Sequence, residues 1–202
     1  MLTVDRSTPS PLRHALYALH HATGIARGIC SQPLLRSSWG LLLNLPCFGV
    51  VLPGRVYRGG SPRAAAHFQQ VLDLGIKTLI CVRYGGPSRE LRHFAAMHGI
   101  SLQIFELNRG GSYDLQAATR AARAALDSRA QPALICCDGG RHHAGMVVAL
   151  LRLLTGRTLE EALAEYILLA APSPFADNVL FIARAAGELP ALAAGPTTSP
   201  PR

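Results

Sequence analysis

Residues 132–145, PALICCDGGRHHAG, constrain the fold more than any other stretch of the chain. Pro132 to Cys136 is a short apolar run of the kind a buried strand needs, and Met146 to Leu154 is dominated by apolar residues, as a buried helix is. Between them lies a glycine-rich loop with a cysteine at its mouth. A loop that joins a strand to a helix can aim several backbone N–H groups, and the positive end of the helix, at one point. It is therefore an anion site in waiting. A cysteine placed there is expected to be more acidic than the other cysteines of the chain, because the same field stabilises its thiolate and makes it a nucleophile.

The loop resembles the phosphate-binding loop of the cysteine-dependent tyrosine and dual-specificity phosphatases, whose pattern is roughly H-C-x5-R-[ST]-G. In that register Cys137 takes the nucleophile position, and Gly140 and Gly145 take glycine positions. Three positions depart: Cys136 stands for the histidine, His143 for the arginine and Ala144 for the hydroxyl residue. Arg141 falls two positions early and does not substitute for the arginine in register. The resemblance implies that phosphate would sit against Asp138, Gly139, Gly140, Arg141, His142, Ala144 and Gly145.

A second segment supports the same family. Residues 55–83 read RVYRGGSPRAAAHFQQVLDLGIKTLICVR. They are similar to the entry segment of a bacterial and fungal branch: a Tyr-Arg strand, a Ser-Pro helix start, then Gly-Ile-Lys-Thr before a strand ending in arginine. The residues fit this independently, since Ser61 can cap a helix, Pro62 suits its first turn, Gly75 can close it, and Leu79 to Val82 is a β-rich run. The resemblance covers roughly residues 44–172.

In the family the thiolate attacks phosphorus, an arginine fork holds two phosphoryl oxygens, and an acid protonates the leaving oxygen. His143 changes this chemistry. An imidazole offers two divergent donors and is charged only below a pKa of about 6.5, whereas a guanidinium has five donors and a permanent charge. Any turnover that used His143 would be expected to rise as pH falls toward about 6. Ala144 removes a hydroxyl that would steady the leaving thiolate. The resemblance implies a general acid on a loop well before the cysteine, which is Glu106, or Asp114 nearer to it, which can equally be the N-cap of the following helix. Asp138 would repel phosphate unless it faces outward. A second register, starting at Cys136, reads C-x-x-G-x-R with Arg141 as the arginine and resembles the active loop of rhodanese-type sulfurtransferases.

At 202 residues, 49% hydrophobic and 16% charged, the chain fits one domain with extensions. The net charge of +8 is almost wholly arginine, Lys77 being the single lysine, and the arginines scatter without interleaved aromatics. A nucleic-acid partner is not expected. Five cysteines, at 30, 47, 81, 136 and 137, match no zinc spacing, and point to a reducing, cytoplasmic setting with neither metal nor cofactor. Residues 1–43 are expected to be a basic amphipathic extension. It can pack as a helix on the body, or make a peripheral membrane or partner contact.

The elements expected between these ends alternate. Strands near 55–58, 77–82, 101–106 and 132–136 are separated by helices at 62–74, 88–98 and 114–129, with later helices to about 155, from a Thr158–Glu161 capping box to about 171, and near 175–187. The expected fold is α/β, phosphatase-like, with a central mainly parallel sheet flanked by helices and an N-terminal helical extension. The domain is expected to span 44–187, with a tail at 188–202 expected to be disordered. The expected function is binding of a phosphorylated ligand, protein or small molecule, at the Cys137–Gly145 loop, with slow or absent hydrolysis, as in a pseudophosphatase. The alternatives are an active tyrosine or dual-specificity phosphatase, and a sulfurtransferase using Cys136 and Arg141.

Overall fold

The computed structural model describes residues 45–109, 112–170 and 174–193; the extension at 1–43 lies outside these residues. Its strands are β1 (Gly49–Leu52), β2 (Val56–Gly60), β3 (Thr78–Val82), β4 (Ser101–Phe105), β5 (Asn108–Arg109), β6 (Ser112–Tyr113) and β7 (Ala133–Cys137). Its helices are α1 (Ala65–Asp73), α2 (Arg89–Met97), α3 (Leu115–Leu126), α4 (His142–Leu154), α5 (Leu159–Ala170) and α6 (Ala176–Ala193), with a 3-10 turn at Ser128–Ala130.

The sheet runs β1-β2-β7-β3-β4. β2, β7, β3 and β4 are parallel, and β1 adds an antiparallel edge. β3 and β7 are buried along their whole lengths, which is why both read as unbroken apolar runs: helices cover both faces of a parallel sheet. Alternation along β7 divides the core. Ala133, Ile135 and Cys137 face α3, α4, α5 and α6, while Leu134 and Cys136 face the smaller cluster built on α1 and α2.

Helix α4 is the hub of the larger layer. Residues 144–151 are all buried, and the helix packs on β7, α3, α5 and α6. The alanines of α3 at 117, 118, 121, 122 and 125 are buried, so a small-residue face lets that helix lie close to the sheet and to α4. Two caps follow their sequence signals. The Asp114 carboxylate accepts from Ala117 N–H at 2.9 Å, and Thr158 and Glu161 exchange hydrogen bonds of 3.0 and 3.2 Å as a capping box.

Two expected boundaries move. Helix α1 does not start at Ser61 and Pro62. Its N-cap is Ala64, because Ser61 is buried and its N–H donates to the Cys137 carbonyl at 2.7 Å, extending the β2–β7 pairing. Helix α6 runs on to Ala193 instead of ending near 187, with Leu189 buried, so the first part of the expected tail is helical.

The start of the loop after β7 leaves no room for a side chain at Gly140. That residue has φ +71, and a Cβ there would come within 2.4 Å of the backbone of Gly59 and Gly60. A Cβ at Gly139 would meet nothing within 4 Å. Urea unfolding should therefore separate the two: Gly140→Ala is expected to lose at least about 2 kcal/mol, and Gly139→Ala to stay within about 0.5 kcal/mol of the parent.

Candidate active site

The pleat of β7 decides which of the adjacent cysteines faces the loop. Cys136 is fully buried, its sulfur 3.5 Å from that of Cys81 on the neighbouring strand and 4.0 Å from Ser61 Oγ. Its sulfhydryl proximity to Cys81, then burial, push its pKa well above the ordinary thiol value. Cys137 sits one residue on, 4% exposed, on the α4 face at the root of the loop. Arg141 is exposed, with Nε 3.1 Å from Cys47 Sγ, and does not turn inward over Cys136. The sulfurtransferase register fails on both residues.

Loop backbone reaches the Cys137 sulfur from two positions. The N–H groups of Ala144 and Gly140 face it and favour its thiolate. Ala144 is fully buried. Gly145 is also tight, since a Cβ there would lie 2.9 Å from the Tyr166 ring. Burial nonetheless pushes the Cys137 thiol above its ordinary range, against the pull of those two N–H groups and of Arg58. This corrects the expectation of an unusually acidic thiol: desolvation outweighs the field of the loop.

His143, in the first turn of α4, packs its ring edge-on to Tyr113 with centroids 5.9 Å apart. Burial lowers its pKa, with Asp138 opposing. The imidazole thus gains its charge only below the usual histidine range, where the raised Cys137 thiol is protonated, so the expected rise of turnover toward pH 6 does not follow. His142 packs its ring at a tilt against Phe175, centroids 4.1 Å apart, and burial lowers its pKa too, helped by His143 and Arg141.

Asp138 faces outward. Its Oδ1 accepts from Arg63 Nη2 at 2.5 Å and Arg83 Nη1 at 2.9 Å, so its charge is balanced at the loop mouth by α1's leading segment and the end of β3. Gly139 is exposed beside it.

Glu106 and Asp114 come together, but in a different place. With Ile104, Phe105, Ala117 and Arg120 they line a cleft of about 430 Å³ between β4 and α3, and no loop residue lines that cleft. Asp114 is also engaged as the α3 cap. Among the described residues no group of His, Cys, Asp and Glu is arranged to hold a metal ion.

Sequence reasoning gave no role to Arg58. This β2 residue is 1% exposed and donates from Nη2 to the carbonyls of Gly140 at 2.5 Å and Arg141 at 3.3 Å. Its signal was present, an arginine inside the apolar strand VYRGG. Arg83 stood out in the sequence only as the arginine that ends the strand of the 55–83 segment, and Arg63 carried no signal that set it apart from the other scattered arginines.

The family model of the tyrosine phosphatase family matches residues 42–191. The Kluyveromyces lactis protein named "Putative tyrosine-protein phosphatase OCA1" is 32% identical over 119 residues, covering 55% of this chain and 56% of that protein. Inositol diphosphatase DSP2 of Oryza sativa subsp. japonica is 32% identical over 117 residues, with the same shares. The chain thus spans about half the length of the curated relatives it matches. The core catalytic domain of the PP-IP phosphatase SIW14 from S. cerevisiae, solved with citrate, has a similar fold. It aligns with a TM-score of 0.66 and 23% identity over 75% of this chain and 93% of that one. With the sheet order, the strand–loop–helix unit at Cys137 and the matched length in agreement, the chain belongs to the tyrosine phosphatase family.

Proposed function

We propose that the Cys137–Gly145 loop binds a phosphoryl group or similar oxyanion, and that hydrolysis of phosphate monoesters there is slow or absent. The observation that carries this reading is a loop whose amides face a buried sulfur while position 143 holds a half-buried imidazole. Amides and the α4 N-terminus suit an anion. Arg63, Arg83 and Arg141 at or near the mouth, and the net charge of +8, favour one electrostatically.

The same geometry argues against fast turnover. Attack needs a thiolate at Cys137, and charge stabilisation by His143 needs an imidazolium. At ordinary pKa values of about 8.5 and 6.5, only about one molecule in a hundred would hold both at pH 7.5. Here the thiol moves up and the imidazole moves down, so the two windows separate further. A permanent guanidinium would remove the conflict.

For the ligand, the relatives' names are the guide. An inositol diphosphatase and a PP-IP phosphatase among the similar proteins favour a phosphorylated small molecule, and the arginines around Asp138 suit a ligand with more than one phosphate. A working phosphatase is the second reading, favoured by the placement of Cys137 under the loop amides. Both readings keep Cys137 as nucleophile and leave the general acid to Glu106 or Asp114, which would have to reach the loop from their own cleft.

Aryl-phosphate turnover tests the proposal. His143→Arg is expected to raise the rate at pH 7 by at least ~10²-fold, the scale of one transition-state donor, and Cys137→Ser to abolish the gain. Wild-type turnover as fast as that of His143→Arg would establish the second reading. The pH profiles should differ as well. For His143→Arg the rate is expected to climb with pH as Cys137 ionises, whereas the wild type should stay low from pH 5 to 9 without an optimum near 6. A clear wild-type maximum in that range would show thiolate and imidazolium coexisting.

A further inference from the structure

Arg58 is a fully buried cation that no step of family chemistry described above employs. It lies on the same face of the sheet as Ile135 and Cys137, paired in register with Ile135 on β7, and directly beneath the first turn of α4. Gly145 in that turn is its neighbour: a Cβ built there would stand 3.6 Å from Arg58 Nη2, an ordinary contact distance. Nη2 is engaged by the carbonyls of Gly140 and Arg141, while Nε and Nη1 are buried and have no hydrogen-bond partner among the described residues.

We propose that Arg58 is the positioning residue of this loop, turning its amides toward the anion site and supplying from behind the permanent positive charge that position 143 lacks. Two physical points support the assignment. A trans peptide directs its C=O and the following N–H to opposite sides. With the Gly140 and Arg141 carbonyls drawn back onto Arg58, the N–H groups of Arg141 and His142 point away from it, toward the front of the loop. Second, a guanidinium stays protonated even when buried, so it is a standing charge in a low-dielectric layer. Burial works against that charge, and Cys137 is the foremost ionisable group that favours it, followed by Glu165, Cys47 and Tyr166. Glu165 is already committed to Arg152, at 2.7 and 3.1 Å. A thiolate at Cys137 is thus the natural counter-charge.

The inference rests on Cys137 being the nucleophile of the proposed function, and alkylation of that thiol tests it without any turnover. The groups that bear on the profile are Arg58 on β2, Cys136 on β7, the Gly140 and Ala144 amides, and, through Arg58, Glu165 and Tyr166 on α5 and Cys47 before β1. Iodoacetamide labelling of the full chain, read at each cysteine by peptide mass spectrometry from pH 6 to 10, would be compared for wild type, Arg58→Met and Arg58→Lys. The expected result is a Cys137 rate at pH 8 about 10-fold lower in Arg58→Met and within about threefold of wild type in Arg58→Lys. Cys81 and Cys136 should stay protected in both.

An unchanged Cys137 rate in Arg58→Met overturns the role of Arg58 and leaves the nucleophile standing. A Cys137 that is unreactive in the wild type up to pH 10 overturns both. If Arg58→Met does not fold, Arg58→Lys decides. A rate near wild type supports the charge, and a 10-fold loss with an unchanged unfolding midpoint refutes it.

Discussion

The site depends on the loop between β7 and α4 being clamped against β2. Gly140 lies so close to Gly59 and Gly60 that no Cβ fits between them, Ser61 N–H binds the Cys137 carbonyl, and Arg58 draws back two loop carbonyls. These contacts come from one strand that is parallel to β7 and adjacent to it. They fix the loop backbone from behind, so the amides in front are set before any ligand arrives. Preorganised donors are the main physical means by which such loops stabilise an oxyanion.

The charge around this backbone is distributed differently from what the loop sequence suggests. Within the loop there is one carboxylate, Asp138, and no guanidinium at position 143. Arg63 and Arg83 meet Asp138 at the mouth, and Arg58 lies beneath the loop. Positive charge therefore reaches the site from β2, from the segment leading into α1, and from the end of β3. An anion entering the loop would find its amides preset and cations on two sides, but no arginine fork in register. Burial then separates the titrations of Cys137 and His143, which bears on turnover more than on binding.

The strand–loop–helix unit was legible because β7 is buried throughout and α4 from 144 to 151, so both carry long apolar runs, with glycines where the backbone must be bare. The motif register picked Cys137 rather than Cys136, and the period-two pleat of the strand places it, though buried, on the α4 face. The Thr158–Glu161 box and the Asp114 cap are local signals that tertiary packing left intact. Ser61 carried a similar signal and was misread, because its backbone serves the sheet edge instead. The acidity of Cys137 was misjudged because the field of a loop can be inferred from sequence and the depth of burial cannot. Glu106 and Asp114 have the right separation from the cysteine along the chain, yet they line a cleft of their own beside α3. Arg58 was visible as an arginine within an apolar strand, but nothing local shows that it lies beneath α4 and binds the loop.

Oxyanion protection of Cys137 tests the central claim most directly. Tungstate, a tetrahedral dianion of phosphate's shape, would be titrated into the wild-type chain while the iodoacetamide rate of Cys137 is followed at pH 8. The account predicts saturable protection at Cys137, because the anion occupies the space in front of the sulfur and takes the Gly140 and Ala144 amides. A Cys137 rate unaffected by tungstate would contradict it, and the loop would then be an element of the fold without being an anion site.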